Sequence, residues 1–433
     1  MIIEPKILKG FRDFLPEQEI ERRRIAEIIE QVCKRGGFVP IDTPVLEYEE
    51  VLLGKGGGET DKQVYRFKDH GGRDVAMRFD LTVPFARYVA GHFQELPMPF
   101  KRYHISKVWR GENTQKGRYR EFMQCDFDVV GTDSINADFE ILLIIYECFQ
   151  AMGIGNITIR LSHRGIFNSL LKKLGVENKQ TDLLRLVDKL EKIGKEKVRE
   201  QLSELIPQDA VNAVLDFIVP ERSYSATLEK LKKHFPNGEE NILRMEKLFG
   251  MMEECGIVEF FSLDTAITRG LDYYTGIVYE TRLNDLPSLG SVCSGGRYDN
   301  LASLYTKEVI PGVGASIGLD RLMAGLEDLG LLSNKKSTLD AIIFMMDEAF
   351  SGAYHSMCQL LRNEGIHAEV YPEAKKIGQQ FKYAEKKGVP FAIICGEDEF
   401  ENKSVTLKDL EKRENITGIS IQKAVEYIRN AKG

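Results

Sequence analysis

One stretch of the chain, residues 165–251, carries only helix-forming patterns, whereas strand-like patterns lie both before and after it. Strong helix formers with alternating charge fill "LLKKLGVENKQTDLLRLVDKLEKIGKEKVREQL", and the strand pattern resumes near Asp264. We therefore predict a helical insertion over 165–251 within a domain formed by residues 1–164 and 252–331.

The segments that flank the insertion mix helices with clustered strands. Apolar residues at helical spacing predict helices over 17–35 and about 137–151. Runs of β-branched and aromatic residues predict strands around Phe38–Ile41, Val75–Phe79, Ile105–Trp109 and Phe122–Val130. This combination favours an α+β fold built on a mostly antiparallel sheet.

A second domain, residues 339–433, is predicted after the polar segment "LSNKKST". It begins with the apolar strand "LDAIIFMM", and helices then alternate with the strands "HAEVY" and "PFAIICG". A β–α–β–α–β order with short connections is typical of a small doubly wound α/β domain.

Composition excludes several classes of protein. The 433 residues exceed what one hydrophobic core usually covers, and 43% apolar with 29% charged residues is contrary to disorder. No apolar run approaches the roughly 18 residues of a membrane-spanning helix. The first residues resemble neither a secretory leader nor a transit peptide, so we expect a cytoplasmic protein.

The cysteines and the net charge constrain possible ligands. The seven cysteines are scattered, never form CxxC pairs and mostly lie in apolar runs. We expect reduced, buried thiols and no zinc site or disulfide framework. The net charge of −7 does not support nucleic-acid binding over the whole surface, although a local basic patch remains compatible with it.

The segment "KRYHISKVWRGENTQKGRYR", residues 101–120, holds seven basic residues against one acid, Glu112. Its centre, "GENTQKG", has turn chemistry, so the segment is predicted to run strand, loop, strand. A solvated basic hairpin is the simplest interpretation of such a cluster alone.

The next strand changes that interpretation. Alternation places Met123, Cys125, Phe127 and Val129 on one face, and Phe122, Gln124, Asp126 and Asp128 on the other. Because unpaired carboxylates are costly against apolar layers, the second face is expected to line solvent or a ligand cavity. Arginines beside carboxylates and an aromatic ring suit a zwitterionic metabolite together with a polyphosphate.

Three further segments combine glycine, arginine and tyrosine in unusual ways: "TRGLDYYTGIVYE", "SGGRYDNL" and "GVGASIGLDRL". The last is neither a Walker loop nor a Rossmann fingerprint. All three resemble segments of the class II aminoacyl-tRNA synthetases, in which "GVGASIGLDRL" corresponds to motif 3. "GFVPIDTPVLEYEE" resembles motif 1 and "VWRGENTQKGRYREFMQCDFDVVG" motif 2. "RGLDYYTG" and "SGGRYDNL" resemble the two histidine-specific motifs, so nearly the whole chain is similar to the histidyl-tRNA synthetase family.

This resemblance implies a six-stranded antiparallel catalytic sheet, a helical insertion, a C-terminal anticodon-binding α/β domain and a homodimer formed through motif 1. It also implies that histidine is activated by ATP with Mg²⁺ and then transferred to the 3′-terminal adenosine of tRNA(His). No resident metal ion is expected.

The resemblance further implies roles for individual residues. Arg110 and Arg269 would be catalytic, facing the α-phosphate, and the loop residues Gln115 and Lys116 would approach the tRNA acceptor end. The residues implied for ATP are Arg110, Glu112, Arg118, Phe122 and Arg321. The residues implied for histidine are Asp80, Thr82, Gln124, Asp128, Arg269, Tyr273, Tyr274 and Tyr298. Some family members carry glutamate where this chain has Asp80 and Asp128, which keeps the charge but shortens the reach.

Two other functions share parts of this pattern. A regulatory subunit of ATP phosphoribosyltransferase resembles the catalytic core, but such subunits generally lack the tail and the arginines that are present here. A class II ligase for threonine, proline or glycine shares the tail type but does not explain "RGLDYYTG". The amino acid that drives ATP turnover discriminates among these functions.

Overall fold

The computed structural model describes residues 2–54, 62–187, 190–267, 273–333 and 335–432, except for the side chains at 191, 192 and 432. The chain divides into two compact units, which comprise residues 1–12 with 25–331 and residues 13–24 with 332–433. The first helix, α1 (Pro16–Arg35), contributes residues to both units.

The first unit contains one large and one small sheet. Its strands are β1 (Val39–Pro40), β2 (Leu46–Tyr48), β3 (Arg66–Lys68), β4 (Asp74–Met77), β5 (Phe100–Trp109), β6 (Glu121–Val130), β7 (Ile157–His163), β8 (Phe261–Leu263), β9 (Ile277–Leu283), β10 (Ser291–Tyr298) and β11 (Gly312–Gly318). In the described part of the chain the large sheet has the order β1-β5-β6-β11-β10-β9-β7-β8, and the small sheet has the order β2-β4-β3.

The six central strands of the large sheet, from β5 to β7, pair antiparallel. The short strands β1 and β8 pair parallel with β5 and β7 at the two edges. The expected antiparallel sheet is therefore confirmed, and a short parallel strand extends it at each edge.

The helices of this unit after α1 are α2 (Glu49–Leu53), α3 (Thr82–Gly91), α4 (Ile135–Ala151), α5 (Arg164–Lys173), α6 (Gln180–Val187), α7 (Leu190–Ile193), α8 (Lys195–Ser203), α9 (Gln208–Phe217), α10 (Tyr224–His234), α11 (Glu240–Glu254) and α12 (Leu319–Asp328). Helices α5 to α11 follow one another between β7 and β8 with no strand among the residues described there. This run confirms the helical insertion.

Helix α4 packs against β6 and β11 and covers part of the large sheet. It begins after Ser134, whose side chain accepts a hydrogen bond from the backbone N–H of Asn136 and so satisfies a donor that the helix leaves free. Its buried side chains include Ile141, Ile145 and Phe149. Each such side chain contributes roughly 1.5–3 kcal/mol of burial free energy, so packing rather than local propensity holds this helix in place.

The second unit contains β12 (Ala341–Ile343), α13 (Ser351–Asn363), β13 (Ala368–Val370), α14 (Ile377–Lys387), β14 (Phe391–Ile394), α15 (Glu397–Glu401), β15 (Val405–Asp409), β16 (Glu414–Ile419) and α16 (Ile421–Lys432). Its sheet has the order β13-β12-β14-β15-β16. The first three of these strands are parallel, as the β–α–β–α–β pattern predicts, whereas β15 and β16 add an antiparallel hairpin that was not predicted.

Strand β12 explains why the tail begins with a continuous apolar run. Ile343 belongs to the apolar cluster on one side of the sheet, and Ile342 and Phe344 belong to the cluster on the other side. A strand that is buried on both faces requires apolar residues at every position.

No helix in the described ranges combines the length and the apolar character that crossing a membrane requires. All seven cysteines are free; six are buried, and Cys255 is exposed.

Candidate active site

A cavity of about 710 Å³ lies among the central strands of the large sheet. Its lining comes from β6, β9, β10 and β11, from the loop between β5 and β6, and from the start of α12. Most of the residues predicted for the site line this cavity, namely Asp80, Thr82, Arg110, Glu112, Gln115, Arg118, Phe122, Gln124, Tyr273, Tyr274 and Arg321.

The hairpin formed by β5 and β6 holds Arg110 at the cavity. The backbone N–H of Arg110 donates to the carbonyl oxygen of Arg120 at 2.9 Å. Its side-chain Nε donates to the carbonyl oxygen of Phe79 at 2.9 Å, and its guanidinium carbon lies 5.1 Å from the centre of the Phe122 ring. These contacts keep a cation beside an aromatic face in the wall of the cavity.

Two further arginines line the same cavity. Arg118 Nη1 lies 3.7 Å from Glu112 Oε2, and Arg321 Nη2 donates to the carbonyl oxygen of Leu289 at 2.6 Å. Gly117 has a φ of +71°, and a Cβ at that position would lie 3.1 Å from Arg321 Cγ. Glycine therefore lets the loop approach α12 closely. Three guanidinium groups in one lining make the cavity suitable for phosphates.

The cavity lining also includes a buried carboxylate, Asp80, which is only 1% exposed. Asp80 Oδ1 accepts a hydrogen bond from the backbone N–H of Val83 at 3.1 Å, and Oδ2 accepts one from the Tyr273 hydroxyl at 3.4 Å. Burial raises the pKa of Asp80, although the hydrogen bond from Val83 and the charge of Arg110 oppose that shift. A cationic ligand group such as an ammonium would stabilise the ionised carboxylate.

Three tyrosines form an aromatic cluster beside Asp80. The Tyr273 ring centre lies 4.9 Å from that of Tyr274 and 5.9 Å from that of Tyr298, in edge-to-face geometry. Burial raises the pKa of all three hydroxyls, so they remain neutral near pH 7. The Tyr298 hydroxyl donates to Asp128 Oδ1 at 2.7 Å.

Tyr298 and Asp128 were predicted to surround the ligand, but neither lines the cavity. Both are buried, and Tyr298 contacts the lining residue Tyr273. The structure therefore places this hydrogen-bonded pair one layer behind the cavity wall.

The polar face of β6 is buried at its far end. Asp126 and Asp128 are each 2% exposed and share Arg102 of β5, whose Nη2 lies 2.6 Å from Asp128 Oδ2 and 3.9 Å from Asp126 Oδ2. Burial raises the pKa of Asp126 to about 7, although the charge of Arg102 opposes the shift. The expectation of an open face is correct for Phe122 and Gln124 and wrong for the two aspartates, because Arg102 supplies them with a buried counter-charge.

Several polar lining residues were not predicted, among them Glu280, Arg282 and Ser316. Ser316 Oγ accepts a hydrogen bond from Gln124 Nε2 at 2.7 Å. Gln124 Oε1 is buried without a hydrogen-bond partner among the described residues, so it is available to a ligand donor. The alternation of polar and apolar residues in "VYETRL" is the signal that could have identified Glu280 and Arg282.

The two remaining predicted residues are Lys116 and Arg269. Lys116 does not line the cavity and forms an exposed ion pair with Asp328 at the end of α12. Arg269 lies outside the described residues.

Comparison with known protein families identifies the family to which the chain belongs. A family model of histidyl-tRNA synthetase matches residues 10–322, which is more than half of the chain. The chain belongs to the histidyl-tRNA synthetase family. A model of an anticodon binding domain matches residues 340–431.

Members of this family resemble the chain over its full length. It is 50% identical to the histidine–tRNA ligase of Treponema denticola, with 100% of this chain and 99% of the relative covered. It is 46% identical to the histidine–tRNA ligase of Rhodopirellula baltica, with 96% and 95% covered. The structure of histidyl-tRNA synthetase from Nostoc sp. PCC 7120 matches with a TM-score of 0.90 and 33% identity, over 99% of this chain and 100% of that one. The chain is therefore an aminoacyl-tRNA ligase, as the sequence motifs predicted.

The regulatory alternative has less support. A structure described as an ATP phosphoribosyltransferase regulatory subunit/histidyl-tRNA synthetase from Bacillus halodurans has a TM-score of 0.75 but only 22% identity, over 88% of this chain and 97% of that one. At that identity the similarity concerns the fold alone.

Proposed function

We propose that the chain is a histidine–tRNA ligase that activates L-histidine with ATP and then transfers the histidyl group to the 3′-terminal adenosine of tRNA(His). The observation that carries this proposal is one cavity lined both by three arginines and by a buried carboxylate with neutral tyrosines. Such a cavity suits a polyphosphate and a zwitterionic amino acid held in one reactive arrangement.

The three lining arginines, together with Phe122 and Glu112, are proposed to bind ATP. Phe122 would stack on the adenine, and Glu112 would accept from the adenine amino group. Arg110 would hold the α-phosphate, and Arg118 and Arg321 would hold the outer phosphates. The support for this set is that all five residues line one cavity and that Arg110 is anchored beside the Phe122 ring.

The lining residues around the buried carboxylate Asp80 are proposed to bind histidine. Asp80, Thr82 and Gln124 would take the ammonium group, and the support for this is a buried carboxylate beside the unpartnered acceptor Gln124 Oε1. Tyr273 and Tyr274 would contact the imidazole directly. Asp128 and Tyr298 would act from behind the cavity wall, through the hydrogen bond that joins them.

The first step is then in-line attack of the histidine carboxylate on the α-phosphorus, which expels pyrophosphate. The nucleophile is already ionised, so no general base is required. Catalysis consists of positioning and of stabilising the charge that develops on the phosphate oxygens. Arg110 supplies this stabilisation, and Arg269, by family resemblance, would face both the α-phosphate and the histidine carboxylate.

Magnesium is proposed to accompany ATP, and when bound it would neutralise the leaving pyrophosphate. The chain fits such an ion because Glu280 offers carboxylate oxygens to the cavity, and Mg²⁺ prefers oxygen ligands. No group of three or more metal-ligating side chains occurs among the described residues. This donor set suits an ion that takes most of its ligands from phosphate and water.

The tRNA is proposed to contact both units. Gln115 and Lys116 would approach the acceptor end, and the domain over 339–433 would bind the anticodon. The catalytic domain would then comprise residues 1–164 and 252–331, with the helical insertion over 165–251 between them.

The active form is proposed to be a cytoplasmic homodimer, located where translation uses charged tRNA. The dimer contact would involve motif 1, and its support is a group of exposed apolar side chains in and beside that motif: Val39, Val45, Leu46 and Tyr48. Light scattering on the purified protein tests the dimer, and a monomer at micromolar concentration would contradict it.

Two measurements test the functional proposal. Accumulation of histidyl-tRNA from labelled histidine, ATP and tRNA(His) is the expected result, and a folded protein that charges no tRNA would refute the function. Binding titrations test the proposed ATP-binding residues and the proposed histidine-binding residues separately. Phe122→Ala should weaken ATP binding selectively, and Tyr273→Phe should weaken histidine binding selectively. Equal effects of each variant on both ligands would contradict the assignment.

A further inference from the structure

The N-terminal segment from Lys9 to Arg12 packs against the loop that carries the ATP-binding residues. The carbonyl oxygen of Gly10 accepts the backbone N–H of Arg120 at 2.8 Å. Gly10 has a φ of +89°, and a Cβ there would lie 2.7 Å from Arg120 Cγ and 2.8 Å from Thr114 Cγ2. Only glycine fits both this conformation and this contact, so the segment is held closely against the loop.

Arg12 extends this contact to two residues that line the cavity. Its guanidinium carbon lies 3.3 Å from the centre of the Tyr119 ring, and its Nη2 lies 2.5 Å from Asp320 Oδ1. Tyr119 and Asp320 both line the cavity, whereas Arg12 does not. Arg12 therefore acts on the cavity through other residues.

Asp320 links Arg12 to a third element. Its side chain is 2% exposed, and its Oδ2 accepts the backbone N–H of Met123 at 2.7 Å. One carboxylate therefore joins the N-terminal segment, the start of α12 and strand β6. The charge-assisted hydrogen bonds at both oxygens make this a rigid connection.

The two residues that Arg12 contacts are sequence neighbours of arginines that line the cavity. Tyr119 directly follows Arg118, and Asp320 directly precedes Arg321. The contacts of Arg12 therefore lie next to both arginines that are proposed to hold the outer phosphates. Arg12 also balances the charge of Asp320, which would otherwise repel the phosphate groups that Arg118 and Arg321 are proposed to hold.

We infer that Arg12 is a positioning residue for the nucleotide subsite: it holds Tyr119 and Asp320 in place, and thereby Arg118 and Arg321, and it neutralises the carboxylate beside them. This inference rests on the proposed binding of ATP phosphates by Arg118 and Arg321. It gives the N-terminal segment a role in nucleotide binding.

The test compares the KM values for ATP and for histidine in ATP–pyrophosphate exchange. Arg12→Ala should raise the KM for ATP about tenfold, which corresponds to the loss of one charge-assisted contact, and should change the KM for histidine less than twofold. Arg12→Lys keeps the charge but not the planar stacking on Tyr119, so its KM for ATP should fall between those of the parent chain and Arg12→Ala. Lys6→Ala is the matched control, because Lys6 lies just before this segment and forms an exposed ion pair with Glu4.

Arg321→Ala is included so that the two hypotheses can fail separately. If Arg321→Ala leaves the KM for ATP unchanged, the proposed nucleotide site is wrong. If Arg321→Ala raises that KM and Arg12→Ala does not, or if Arg12→Ala changes both KM values equally, the inference about Arg12 is wrong. Should Arg12→Ala fail to fold, Arg12→Lys decides: a rise in the KM for ATP alone supports the role, and a rise in both KM values or in neither overturns it.

Discussion

Two buried aspartates of the first unit differ in their contacts with arginine, and replacing each with asparagine should have opposite effects on stability. Asp126 shares the single guanidinium of Arg102 with Asp128. Asp138 receives hydrogen bonds from two guanidinium groups: Arg297 donates to Oδ1 at 2.7 and 2.9 Å, and Arg244 Nε donates to Oδ2 at 2.7 Å. Arg102 Nη2 lies 3.9 Å from Asp126 Oδ2, beyond hydrogen-bond distance, whereas both oxygens of Asp138 accept hydrogen bonds from arginine.

The magnitude for Asp126 follows from its pKa, which burial raises from 3.8 to about 7. A shift of about three units corresponds to about 4 kcal/mol, at about 1.4 kcal/mol per unit. Because the folded-state pKa is raised, this stability is fully present below about pH 4 and is lost as the pH rises through about 7. Asparagine resembles the protonated acid, so Asp126→Asn should match the parent chain near pH 4 and exceed it by up to about 4 kcal/mol at pH 8.

The matched variant Asp138→Asn removes the carboxylate from between two arginines. Arg297 is only 3% exposed, so its charge would be left buried with its main partner gone. Breaking a buried ion pair in this way costs about 3–5 kcal/mol. Asp138→Asn should therefore be less stable than the parent chain at neutral pH.

Thermal unfolding of the parent chain, Asp126→Asn and Asp138→Asn between pH 4.5 and 8 measures both effects. We compare Tm values rather than free energies of unfolding, because a chain of two units need not unfold in one step. The Tm of Asp126→Asn relative to the parent chain should increase with pH. Equal destabilisation by the two substitutions at pH 8 would refute the charge imbalance around Arg102.

Three other outcomes are expected. Arg269→Ala should lower the rate of histidine activation by orders of magnitude without changing the far-UV circular dichroism, and near-normal activation would remove Arg269 from the mechanism. Gly314→Ala places a Cβ 1.9 Å from Asp128 Oδ1 and should raise the KM for histidine or lower the Tm, whereas Gly155→Ala has no atom within 4 Å and should do neither. Deleting 339–433 should reduce tRNA charging far more than pyrophosphate exchange, and equal loss of both in a folded core would contradict the division of labour.

Elements with a strong local pattern were predicted closely from the sequence. The predicted helices over 17–35 and 137–151 correspond to Pro16–Arg35 and Ile135–Ala151. Both have regular apolar spacing and clear end signals, which act locally. The hairpin of β15 and β16 was not predicted, because half-exposed polar strands such as "ENITGI" depend on their neighbours in the sheet rather than on their own pattern.

In the candidate site, too, features with a local pattern were predicted, whereas contacts between strands were not. The basic hairpin and the polar face of β6 were identified from the alternation of residues within one segment. The burial of Asp128 was not, because it depends on the pairing of β5 with β6, which sets Arg102 opposite Asp128. Cross-strand register is fixed by the whole sheet, so a partner on another strand cannot be deduced from either strand alone.

Amino-acid-dependent ATP–pyrophosphate exchange, measured on the purified protein with each of the twenty amino acids, tests the central claim most directly. The buried carboxylate and tyrosines that line the cavity predict exchange with histidine and with no other amino acid, because hydrogen-bonding groups left unpaired by a wrong side chain can cost a factor of roughly 10⁴ or more. Exchange driven by a different amino acid, or by none in a folded protein, would contradict the account.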